Sequence, residues 1–146
     1  MITVTANPIN VQEHYEKLGS SSQTGAIVTF VGLVRDINQG ASISSMALEH
    51  YPGMTEKVLE GIVQEACERW ELLDVELVHR VGDMGVSDTI VFVGVSSVHR
   101  ENAFQACAFI MDFLKTKAPF WKKEQTPDGS HWVEANNKDN EAASRW

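Results

Sequence analysis

The run "AIVTFVGLV" (Ala26 to Val34) constrains the fold most. It is β-branched and mostly apolar, which suits a pleated, packed surface, so it reads as a buried strand. "RDINQGAS" follows, with Asp, Asn and Gly close together, and that is turn chemistry. "ISSMALEHY" (Ile43 to Tyr51) then alternates as a second strand. The pair reads as a hairpin with a long polar tip. "VELVHRVG" (Val75 to Gly82) and "TIVFVGVSSV" (Thr89 to Val98) read as strands around a loop, and Ile2 to Ala6 as a short strand.

Between these runs the period changes from two to 3.6. Asn10 can cap a short helix with Val11, Tyr15 and Leu18 on its apolar side and Gly19 as its stop. Thr55 is expected to cap a helix to about Trp70, whose stripe is Val58, Leu59, Ile62, Val63, Ala66 and Cys67. A second long helix spans about Arg100 to Lys117, with Ala103, Ala106, Cys107, Ile110, Met111 and Leu114 inward. Pro119 ends it, because the residue before proline avoids helical angles. "FWKKEQ" and "SHWVEA" read as strands joined by the turn "TPDG". A polar tail begins at about residue 136, with a helical turn near Glu141 to Trp146. Strands and helices mix without strict βαβ alternation. The expected class is therefore α+β: a mixed, mostly antiparallel sheet, two long helices and a C-terminal hairpin, forming one domain over residues 1–146.

Composition excludes several functions. Twelve basic residues stand against twenty acidic ones, for a formal net charge of -8. A nucleic-acid surface needs a broad basic face, so none is expected. Cys67 and Cys107 have no CxxC partner and read as core residues in a reducing compartment. The five histidines show no HxxxH or HExxH spacing, so no metal site is expected. No signal peptide and no membrane-spanning run are visible, and a cytoplasmic protein is expected.

Against that acidic background, "LKTKAPFWKKE" (Leu114 to Glu124) holds four lysines. Lys115 and Lys117 fall in a last helical turn, where cations offset the negative end of the helix dipole; Asp112 is also placed to pair with Lys115. Lys122 and Lys123 lie on a strand, so alternation sends them to opposite faces. Lys115 and Lys122 could converge across the Pro119 corner. Two close amines lower each other's pKa, and such a lysine can act as acid, base or nucleophile near neutral pH. His99 and Arg100 open a helix after an apolar strand, where free N–H groups and a guanidinium attract anions. Arg35 leaves a strand for a polar loop. Each of these is otherwise ordinary surface charge; together they suit a compact anionic small molecule. Glu49, His50 and Tyr51 read as structural, with His50 hydrogen-bonded and Tyr51 half-buried. His79 and Arg80 are assigned to the sheet or an interface.

Taken as a set, "FVGLVRDINQG", "LEHYPGMTEK", "SSVHRENAFQACAFIMDFLKTKAPFWKKE" and "HWVEA" resemble the catalytic large subunit of molybdopterin synthase, from about Gly25 to Ala135. The resemblance implies an α/β-hammerhead fold and a sulfurtransferase without a cofactor of its own. It implies that sulfur passes from the thiocarboxylated C-terminus of a ubiquitin-like small subunit to cyclic pyranopterin monophosphate, giving the molybdopterin dithiolene. It further implies a heterotetramer built on a homodimer of large subunits. By the same resemblance Lys115 and Lys122 are catalytic. Arg35, His99, Arg100 and Lys122 bind substrate, and Lys123 and Glu124 stand at the pocket edge.

Two positions depart from the family's pattern. Relatives often carry arginine just after "WVEA", where this chain has Asn136. The loop "GDMGVSDT" lacks a glycine expected before Asp88. Two other functions share the same anion site: a non-catalytic dimer that binds a pterin or phosphate, and a docking scaffold for a ubiquitin-like partner.

Overall fold

The computed structural model describes residues 1–38, 40–133 and 137–146, with Ala41 by its backbone. Chain order is β1 (Ile2–Thr5), α1 (Val11–Leu18), β2 (Ala26–Leu33), β3 (Ile37–Asn38), β4 (Ala41–Ser42), β5 (Ser45–His50) and α2 (Met54–Arg69). Then come β6 (Asp74–Arg80), β7 (Gly82–Gly85), β8 (Thr89–Ser97), α3 (Arg100–Thr116), β9 (Phe120–Thr126), β10 (Gly129–Trp132) and α4 (Asn137–Ser144). The class is α+β. One four-stranded sheet runs β1-β6-β8-β2, and a second runs β10-β9-β5-β7; β3 and β4 form a small hairpin. Among the described residues only β1 and β6 pair in parallel.

The first sheet is covered on both faces, and period two sorts its residues. Val91, Val93 and Val95 of β8 join Leu59, Ile62 and Ala66 of α2 and Ala106, Phe109 and Ile110 of α3. Phe92, between them in sequence, points to the other face and packs with Val78 and Leu18 of α1. Each such large side chain removed from water contributes about 1.5–3 kcal/mol. Gly94 lies where α1 comes closest, and a Cβ there would collide with Leu18 Cδ1. The second sheet has its own cluster of Val34, Met46, Leu48 and Met84.

Several expectations are corrected. β2 and β5 form no hairpin: β2 pairs with β8, whereas β5 pairs with β7 and β9. The polar segment between them carries the chain from one sheet to the other. β2 is not buried but is an edge strand, with Phe30, Val31 and Leu33 at 40%, 37% and 50% exposure. Its composition dictates a strand, while burial depends on what lies beside it. The run from Val75 to Gly82 is broken, because Gly82 takes φ +84 and starts β7 in the other sheet.

At α2 the cap is Gly53, whose N–H donates to Glu56 at 2.6 Å. Thr55 lies inside the helix, fully buried, and its hydroxyl donates to the Tyr51 carbonyl at 2.8 Å. Cys67 is exposed, one step around the helix from buried Ala66, while Cys107 is buried and its thiol is pushed up to about 11 by desolvation. Tyr51 is exposed rather than half-buried. Asn10 caps α1 as expected, accepting from the Glu13 N–H at 3.2 Å. The tail carries two helical turns, α4, rather than one. "HWVEA" is a strand through Trp132; Glu134, Ala135 and Asn136, with the departure at Asn136, lie outside the described residues. Among the described residues no helix is long and apolar enough to cross a membrane.

Candidate active site

The site is built where α3 stops and β9 starts. The Lys117 N–H donates to the Phe113 carbonyl at 2.8 Å and closes α3. Pro119 follows, and the chain turns into β9. Along β9 the alternation is strict: Phe120, Lys122 and Glu124 face inward, while Trp121 and Lys123 face solvent. Pairing with β5 sets His50 opposite Phe120, Leu48 opposite Lys122 and Met46 opposite Glu124. Lys122 therefore emerges among apolar neighbours.

There it meets Lys115 from the last turn of α3, close enough for the charge of one amine to act on the other. Lys122 is pushed down to about 8, first by burial, then by the neighbouring amine of Lys115. Glu124 and Asp139 of α4 act in the opposite direction. Asp112 does not pair with Lys115. It accepts from Arg145 Nη2 at 2.8 Å and from Trp146 Nε1 at 2.6 Å.

Glu124 continues the row. Both its oxygens accept from Asn38 Nδ2, at 2.9 and 3.1 Å, and Asn38 Oδ1 accepts from Arg35 Nη2 at 3.2 Å. Arg35, Asn38, Met46, Ile90, Lys122 and Glu124 line a recess of about 50 Å³. A wider, open hollow of about 550 Å³ adjoins it past Leu33, Val34 and Arg35, bounded by Ile37 and Val86. That size falls within the range of small-molecule clefts. A charged recess thus opens, past a shared arginine, into a hollow lined by apolar side chains together with Asp36 and Ser87. Among the described residues no group of three or more His, Cys, Asp or Glu is placed to hold a metal ion.

Sequence reasoning missed two members. Asn38 was read only as turn chemistry, and nothing local signals its bond to a residue 86 positions away. His79 was assigned to the sheet or an interface. It is buried at the end of β6, and its ring stacks on Phe120 with centroids 4.0 Å apart and planes 20° from parallel. Its Nδ1 lies 2.9 Å from the Arg80 carbonyl, which can only accept, so Nδ1 carries the hydrogen. Burial lowers its pKa to about 4. The bond to the Arg80 carbonyl opposes this, and the charges of Lys115, Lys122 and His50 reinforce it.

Other expected members lie elsewhere. Lys123 is on the outer face of β9, its Nζ 5.5 Å from the centre of the Trp132 ring. His99 and Arg100 are exposed at the start of α3. The fifteen-residue climb to Lys115 separates them from the lysine pair by about 22 Å of helix. The β2–β8 register agrees: Ala26 faces Ser97 at one end, and Leu33 faces Thr89 at the other. Within one chain Arg35 and His99 therefore flank opposite ends of the same strand pair. A single pocket holding Arg35, His99, Arg100 and both lysines is not formed by one copy.

Comparison with known proteins gives one consistent result. The family model described as "MoaE protein" matches residues 4–117. The chain is 54% identical over 145 residues to the molybdopterin synthase catalytic subunit of Escherichia coli, covering 99% of this chain and 97% of that protein. The structure resembles the molybdopterin biosynthesis MoaE protein from Burkholderia ambifaria, with TM-score 0.85 and 46% identity, over 100% of this chain and 97% of that one. It also resembles a molybdopterin synthase structure from Staphylococcus aureus, with TM-score 0.84 and 34% identity, over 90% of this chain and 96% of that one.

Proposed function

Since the chain belongs to the MoaE protein family, we propose that it is the catalytic subunit of a molybdopterin synthase, a cytoplasmic sulfurtransferase of molybdenum cofactor biosynthesis with residues 1–146 as one domain. Its substrates are cyclic pyranopterin monophosphate and the thiocarboxylated tail of a ubiquitin-like small subunit. The observation that carries this reading is the meeting of Lys115 and Lys122 at the α3–β9 corner.

Thiocarboxylate and phosphate are both anions, and cations in a partly dry recess offset their repulsion better than water does. Lys115 positions the thiocarboxylate and moves protons as sulfur attacks the pterin side chain. Lys122 neutralises charge on substrate or intermediate. Each transfer forms a carbon–sulfur bond and breaks a carbon–oxygen bond of the pterin side chain, the oxygen leaving on the opened phosphate ester or as water; water then cleaves the tail's acyl carbon–sulfur bond and the tail leaves as a carboxylate. Two charged small subunits serve in turn. Arg35, held by Asn38 and Glu124, binds the phosphate or pterin. Tethering the donor to a protein tail makes the encounter effectively intramolecular.

His99 and Arg100 join this site from a second copy. β2 offers an exposed, apolar edge, and an unpaired edge of that kind invites another strand. Antiparallel pairing of β2 with its twofold mate would set the Ala26 end of one copy against the Leu33 end of the other. His99 and Arg100 would then stand beside the partner's recess. A heterotetramer with the small subunits outermost follows.

The test is to combine the protein with thiocarboxylated small subunit and cyclic pterin phosphate and measure dithiolene product. Wild type should form product. Lys115→Ala should bind the pterin but lose roughly 100-fold or more in rate, the range for a positioned proton-transfer group. Absence of product from wild type with all components intact would favour a binding or docking role.

A further inference from the structure

The sulfur-transfer reading gives His79 no part, although it sits against the lysine pair. It is 7% exposed. Its Nδ1–H donates to the Arg80 carbonyl at 2.9 Å, which fixes the ring's orientation, while burial keeps the ring neutral against the pull of that bond. One face lies flat on Phe120, 4.0 Å between centroids. Phe120 is the first residue of β9, and Lys122 is the next residue on the same face. Phe120 also has His50 beside it, 6.4 Å between centroids, and His50 Nδ1 lies 3.3 Å from Thr55 Oγ1. The start of β9 thus packs against two imidazoles, one from β6 and one from β5. The charged and titratable groups facing His79 are Lys115 from α3, Lys122 from β9 and His50 from β5. Among the described residues no carboxylate is one of them, so a protonated ring there would add a cation beside the two lysines.

We infer that His79 is a positioning residue for sulfur transfer: its neutral ring, braced between the Arg80 carbonyl and Phe120, fixes the start of β9 so that Lys122 stays beside Lys115 in a dry setting. The catalytic part of this statement rests on the function proposed above; the structural part does not. A ring that only filled space could be lost with some stability and no change in how Lys122 titrates. A ring that sets the lysine's surroundings could not.

The experiment compares His79→Ala, His79→Phe and Phe120→Leu with wild type, each checked for a cooperative melt. The Lys122 side chain is titrated by NMR in isotopically labelled protein without partner or substrate, its signal assigned by its loss in Lys122→Arg. In wild type it should titrate at about 8. In His79→Ala and Phe120→Leu water enters and the lysine should move up by about one pH unit or more. His79→Phe keeps the stack and the dryness and should stay near wild type. In the product assay His79→Ala should lower kcat by roughly tenfold or more, the scale of a misplaced group, with KM for the pterin held within about twofold. His79→Phe should keep most of the activity. Unchanged Lys122 titration in the folded His79→Ala protein overturns the inference; if that protein does not fold, unchanged titration in Phe120→Leu does. Wild-type protein that titrates as expected but forms no product counts against the sulfur-transfer reading and leaves the brace standing.

Discussion

At the scale of the residue, the meeting of Lys115 and Lys122 places a titration inside the working pH range. If Lys122 acts as a cation toward substrate, kcat/KM should fall as pH rises through about 8. Lys122→Arg stays charged at every accessible pH and should lose that limb, whatever its absolute rate. His79 has the matching effect on stability. Its folded pKa of about 4 lies below the ordinary 6.5. Between those values the unfolded chain binds a proton that the native chain does not. Stability therefore rises with pH across that window and is lost on acidification, by on the order of 3 kcal/mol in full. His79→Phe should flatten this segment, read as urea midpoints at about pH 4.5 and about pH 7. The convergence of Lys122 with Lys115 was legible, because a proline corner and period-two alternation are local facts. The parts of His79 and Asn38 were not. Their partners lie 41 and 86 positions away (Phe120 and Glu124), and no local pattern encodes such contacts.

At the scale of the element, the helices were the most legible. The stripes of α2 and α3 bury Leu59, Ile62, Ala106 and Ile110 as their spacing requires. Strands were found as strands but given wrong neighbours, since alternation marks a face and carries no partner. Gly94 shows how tightly α1 sits on its sheet. Gly94→Ala should cost about 1–3 kcal/mol by overpacking against Leu18, read as a lower melting temperature with unchanged strand content. The tail helix was half visible, because its anchor is remote. Trp146 donates to Asp112 at 2.6 Å and meets Trp70 and Phe109 edge-on at 5.5 and 5.7 Å. Trp146→Ala should cost about 1–3 kcal/mol, somewhat less than a fully buried aromatic, and speed hydrogen exchange in α4. Since Asp139 of α4 raises the Lys122 pKa, loosening that helix should also let Lys122 titrate lower.

At the scale of the whole molecule, the exposed edge of β2 and the split of the basic residues are two sides of one fact. Arg35 and the lysine pair stand at one end of the β2–β8 pair, and His99 and Arg100 at the other. Sequence places all five on element ends but cannot say which end faces which across two copies. The most direct measurement mixes two inactive variants. Lys115→Ala and Arg100→Ala are denatured together, refolded at equal concentration, and assayed for dithiolene product with thiocarboxylated small subunit. If each recess takes Lys115 from one copy and Arg100 from the other, half the twofold dimers are mixed and hold one intact site. The mixture should then recover about one quarter of wild-type activity while each variant alone stays inactive. A mixture with no more product than the separate variants, although exchange of copies is demonstrated, would contradict a site shared across the dimer.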